Sequence, residues 1–172
     1  MIPIYAHGFF NVCRDGSVTQ LIIFEYLDPG MEYFKLVRSK RGYAKELATL
    51  RRNMQLFLDA EDVRINNERV YPRVVSVDIG FSGSKDRPYI KYLVRFKGKL
   101  INGDNIYEDS YESEVAEYDY VVTWVFPEGS SIIKVDVGYE YKVVNNNILT
   151  FFVPEGSETP GYESIVFRLS SV

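Results

Sequence analysis

The sequence is poor in the residues that most often carry chemistry. It has one cysteine, Cys13, and one histidine, His7. A lone cysteine excludes an internal disulfide framework and any multi-cysteine zinc or iron–sulfur site, and a lone histidine excludes multi-histidine metal centres. Long apolar runs are missing too. None approaches the ~20 residues a helix needs to cross a bilayer. The first seven residues lack a basic segment followed by an apolar stretch, so no signal peptide is expected. The glycines form neither G-x-G-x-x-G nor G-x-x-x-x-G-K-[ST], and no serine or cysteine stands in a nucleophile motif. Residues 80–85 share only the composition of a phosphate loop and read as a hairpin turn. The expectation is a soluble, cytoplasmic chain with no cofactor, no metal site, no membrane contact and no catalytic residue.

Aromatic residues are abundant. Fourteen Tyr and eleven Phe suit the half-buried, pleated surface of a sheet. With 172 residues, 46% of them apolar, the chain is long enough to bury a core without disulfides. It reads as a single domain over 1–172, and the best place for a subdomain break is near residue 62.

Strand signals dominate the pattern. Residues 4–12 and 18–27 flank Asp15-Gly16, a pair that tolerates the left-handed backbone of tight hairpins. Asp28-Pro29-Gly30 is a second turn, and residues 31–38 read as a third strand. The period then lengthens. Tyr43, Leu47, Leu50, Met54 and Phe57 recur at spacings of three and four, predicting one amphipathic helix over about 42–59, with Ser39 as its N-cap. From residue 62 the period is two. Strands are predicted over 63–65, 69–71, 74–81, 89–97, 114–126, 131–137, 139–144, 148–153 and 162–169, with a short strand near 106–111. No β-α-β repeat is present, so the fold class is mainly β: an antiparallel sandwich or partly closed barrel with the helix packed on the sheet.

Charge is unevenly spread. Residues 31–99 hold sixteen cations against eight anions, and residues 100–172 hold thirteen anions against three cations. Cross-strand pairing of Lys91, Arg95 and Lys97 with Glu117 and Asp119 would absorb much of this asymmetry. Carboxylates in residues 104–119 would then titrate normally.

Three functional readings follow. The first is a non-catalytic binding or interaction domain for a macromolecule or a small apolar ligand, because positioned acids, bases and nucleophiles are sparse. Its candidate contacts are Arg41, Lys45 and Arg52 on the helix and Asp104, Glu108 and Asp109 in the acidic segment. The second is a carboxylate-based or metal-assisted hydrolase using residues 104–119. The third is nucleic-acid binding through the basic helix face, against which an isoelectric point near 5.1 weighs. The oligomeric state is not legible.

Overall fold

The computed structural model describes residues 1–171. The chain opens with β1 (Ile2–Val12) and β2 (Ser17–Leu27), then α1 (Glu32–Val37) and α2 (Lys40–Ala60). Ten strands follow: β3 (Asp62–Ile65), β4 (Glu68–Arg69), β5 (Arg73–Phe81), β6 (Pro88–Lys97), β7 (Gly103–Ser110), β8 (Tyr120–Val125), β9 (Ser131–Asp136), β10 (Tyr141–Val144), β11 (Ile148–Val153) and β12 (Tyr162–Leu169). They form a seven-stranded sheet ordered β10-β11-β8-β1-β2-β6-β5 and a five-stranded sheet ordered β4-β3-β7-β12-β9. Neither sheet closes on itself, so the fold is a sandwich and not a barrel. Pairing is antiparallel except between β1 and β8. Strands from both sides of residue 62 share the larger sheet. Among the described residues, no helix is long and apolar enough to cross a membrane.

Local chemistry explains the first hairpin. The Asp15 carboxylate accepts hydrogen bonds from the Ser17 amide and hydroxyl, and Gly16 takes a φ of 85°. A Cβ at Gly16 would run into the Gly98 carbonyl oxygen, so the turn requires glycine there.

Both covering layers of the larger sheet lie on one face. In β1, β2, β6 and β8 the even-numbered residues point inward. Towards one end they meet the smaller sheet. Phe10 stacks on Trp124 with ring centroids 3.8 Å apart, Trp124 tilts against Tyr107, and Phe126 meets Phe167. These buried side chains fill the space between the sheets. Towards β5 the same face carries Ile22, Phe24, Ile79, Ile90 and Tyr92, and α2 packs there through Tyr43, Leu47, Leu50, Met54 and Leu58. The helix starts where the sequence indicated: Ser39 Oγ accepts the Gly42 amide at 3.2 Å. Its side chains also reach the backbone of β5. Arg51 donates to the Val74 carbonyl at 2.9 Å, Gln55 donates to the Pro72 carbonyl at 3.0 Å, and Gln55 Oε1 accepts the Val74 amide at 3.0 Å.

Three expectations need correction. Residues 31–38 are not a strand: Asp28 accepts the Tyr33 amide at 2.9 Å, which holds the chain in the short helix α1. Residues 114–119 do not extend β8. Residues 114–116 pair instead with residues 156–159, as in Ala116 N–H to Ser157 O and Thr159 N–H to Glu114 O, with an isolated bridge between Val115 and Glu158. Phe57 is 69% exposed. It lies in the last turn of α2, on the side of the apolar stripe that borders an open cleft instead of the sheet.

Candidate functional site

The six candidate contacts do not converge. Arg41, Lys45 and Arg52 are exposed along α2. Asp104 is held by Arg168 through two hydrogen bonds of 2.6 and 3.2 Å, and the guanidinium keeps its carboxyl below the ordinary range. Glu108 accepts from the Tyr162 hydroxyl at 2.7 Å. Both lie on the outward face of β7, whereas Asp109 points the opposite way. The expected charge ladder is also absent. β6 lies between β2 and β5, so Lys91 pairs with Asp78 at 3.3 Å and Lys97 with Asp15 at 3.7 Å. Glu117 and Asp119 precede β8, which β1 and β2 separate from β6. His7 stands edge-on to Tyr5, 4.8 Å away, on the face of the larger sheet that no element covers.

What the fold does assemble is a group of inward-facing carboxylates. In the smaller sheet Val63, Asp109 and Glu163 are register partners across β3, β7 and β12. Val63 is buried in the core, so Asp109 and Glu163 share its inward face. Glu61 joins them from the C-cap of α2, where its amide is bonded to the Leu58 carbonyl. None of the three has a cationic partner among the described residues. Their donors are tyrosines: Tyr111 donates to Glu163 at 3.1 Å and Tyr107 to Asp109 at 3.4 Å. Asp109 Oδ1 is buried with no partner.

Electrostatics follow from that arrangement. Burial pushes the Glu163 carboxyl up to about 7, the Asp109 charge adds to the rise, and the Tyr111 hydrogen bond opposes it. Burial likewise raises Glu61, reinforced by Asp109 and Glu163. Asp109 is raised by burial and by Asp62, against the Tyr107 hydrogen bond. The expectation of ordinary titration across residues 104–119 therefore fails at Asp109. Sequence reasoning missed Glu61 and Glu163. The signal for Glu163 was parity: it lies two residues before Ile165 and four before Phe167, both core residues.

A cleft of about 770 Å³ opens beside this group. One wall is the end of α2, with Leu56, Phe57 and Ala60; the other is Glu112, Ser113 and Glu114. Glu61 and Tyr111 belong to both the cleft and the half-buried carboxylate cluster. Leu56 and Phe57 are 62% and 69% exposed, unusual for large apolar side chains. The cleft thus faces an apolar wall with an acidic one, and Glu61 lies in its lining. No group of three or more His, Cys, Asp or Glu among the described residues has the arrangement to hold a metal ion.

No family model matches the sequence, and no curated protein does. Among solved structures, the folded domain of Mycobacterium tuberculosis LppM aligns over 99% of this chain and 94% of its own, at 8% identity and a TM-score of 0.45. Leukotriene A4 hydrolase from Saccharomyces cerevisiae aligns over 99% of this chain and 30% of its own, at 10% identity and a TM-score of 0.37.

Proposed function

We propose that this protein is a non-catalytic binding domain whose cleft takes a cationic, amphipathic segment, such as a lysine flanked by an apolar side chain. The observation that carries the reading is the set Glu61, Asp109 and Glu163: half-buried carboxylates without a counter-cation among the described residues, next to exposed Leu56 and Phe57. An ammonium group entering beside Glu61 would supply the missing opposite charge. The apolar neighbour would cover Leu56 and Phe57 and exclude water from the pair. A cation arriving at carboxylates held partly protonated displaces protons, so affinity rises with pH through the neutral range.

The test is fluorescence anisotropy with a labelled Leu-Lys-Leu-Lys-Leu-Lys peptide at pH 6 and pH 8. Tighter binding at pH 8, weakened about tenfold by Glu61→Gln, supports the reading. Equal binding by the matching Leu-Glu peptide, or no dependence on Glu61, refutes it.

One observation favours a second reading. A carboxyl titrating near 7 suits a general acid, and Glu163 has that property. A hydrolase of this kind would cleave a nitrophenyl glycoside with a rate controlled by a group near pH 7 and lost in Glu163→Gln. Tyr111 stands hydrogen-bonded to Glu163, which favours a buried structural role over contact with substrate.

A further inference from the structure

Among the described residues, nothing covers the outer face of the seven-stranded sheet. Sheet and helices both cover the inward face, and the odd-numbered residues of β1, β2, β6 and β8 point away from them. Register places these residues in rows across the sheet. One row runs Phe152, Val121, His7, Ile23, Lys91; the next runs Thr150, Thr123, Phe9, Leu21, Leu93. The side-chain contact between Thr123 and Thr150 fixes their common direction. Solvated sheet faces are normally polar, yet the middle of this one is apolar. Phe9 and Phe152 are 40% and 48% exposed, and Leu21, Ile23, Leu93 and Val121 are half-buried only by one another.

Charge lies at opposite ends of the strands. At one end Arg73 and Arg95 are direct register partners, like charges side by side, and neither has a carboxylate partner among the described residues. At the other end Glu25 stands between Tyr5 and Tyr89 with no cation. Lys91 is already paired with Asp78.

We propose that this face is the interface of a homodimer, two copies packed sheet to sheet about a two-fold axis that lies in the interface and crosses the strands. Such an axis inverts the strand ends. Arg73 and Arg95 of one copy then lie over Glu25 of the other, and the contact repeats by symmetry. An axis along the strands would instead lay Arg73 and Arg95 over Val144 and Ile148, at the far flank of the same row, leave Glu25 unmet, and is disfavoured. Size fits as well. Two to four outward positions on each of seven strands, spaced about 4.8 Å across and about 6.7 Å along the strands, give roughly 750–800 Å², about what each partner contributes to a stable interface. The acidic cleft lies on the opposite side of the larger sheet and stays open, so the dimer stands apart from the binding reading.

Sedimentation velocity of the full chain between 1 and 100 µM at physiological salt tests this. The expected mass is twice 19.9 kDa. Leu21→Asp should give monomer with an unchanged far-ultraviolet circular dichroism spectrum. Should that variant misfold, the charge reversals decide: Arg95→Glu or Glu25→Arg alone should weaken dimerisation about tenfold, and the two together in one chain should restore it. A monomer at every concentration overturns the proposal. So does a dimer indifferent to both single reversals. A monomer that sediments with phosphatidylcholine vesicles through Phe9 and Phe152 would overturn it in favour of a lipid surface.

Discussion

Replacing Glu163 by glutamine should make the protein more stable at pH 8 and leave it nearly unchanged at pH 4.5. The Glu163 carboxyl titrates at about 7 in the folded chain against an ordinary value of 4.5. Between those values the folded state holds a proton that the unfolded state has released. Stability from this group is therefore complete below about pH 4.5, falls as pH rises, and is gone above about pH 7. A gap of 2.5 pH units corresponds to roughly 3.4 kcal/mol. Glutamine keeps the shape and can still accept the Tyr111 hydrogen bond, but it never ionises. Allowing for relaxation around the charged form, the variant should gain about 1.5–3 kcal/mol at pH 8, or roughly 3–10 °C in melting temperature for a chain of this size. Urea unfolding followed by Trp124, the single tryptophan, buried against Phe10 and Tyr107, reads the change directly. Asp15, Asp62, Asp86 and Asp104 are all held below the ordinary range and impose the opposite pH dependence at lower pH, but they are common to both proteins and cancel in the difference. If the difference between wild type and Glu163→Gln is flat from pH 4.5 to 8, or the variant is weaker at pH 8, the carboxylates are not confined as described.

Two further outcomes are expected. Leu50→Ala on the packed stripe of α2 should cost about 1–2 kcal/mol, being half-buried, whereas Phe57→Ala should stay within about 0.5 kcal/mol; equal effects in thermal melts would mean that the last turn of the helix does pack. Asn105→Ala should cost about 3 kcal/mol in chemical denaturation, because the fully buried amide bonds Asn66, Ile101 and Gly103 together and its loss strands several polar groups at once; a cost below about 1 kcal/mol would show that water replaces it freely.

Much of this architecture was legible because it is written locally. The helix α2 has its serine cap and its three-and-four spacing. The turns at Asp15-Gly16, Asn66-Asn67 and Asn145-Asn146 carry residues that do adopt positive φ. The failures arise where a distant contact decides. Residues 31–38 carry the aromatic and β-branched side chains Tyr33, Phe34 and Val37 that suit a strand, and the reach of the Asp28 carboxylate to the Tyr33 amide helps to wind them into a helix instead. Arg95 looked like a partner for Asp119 because strand order is not a property of either strand. The carboxylate group is the sharpest case. Glu61, Asp109 and Glu163 lie about fifty residues apart and meet only through the β3-β7-β12 register. Yet two of them share the parity of neighbouring core residues, Asp109 with Tyr107 and Glu163 with Ile165, and an inward acid can be read from parity before any partner is known.

The bonds from Arg51 and Gln55 to the outermost strand have a colloidal consequence. β5 and β10 are the two margins of the larger sheet, and a filament of stacked copies needs to join one margin to the other, repeatedly. At Val74 both backbone groups facing outward are already occupied by side chains of α2. That end of β5 is capped, while β10, four exposed residues long, is open. A strand added head-to-tail at this end of β5 has to displace Arg51 and Gln55 from Val74, so loosening of the helix, by heat or by mutation of Gln55, lowers the resistance of this edge to strand addition.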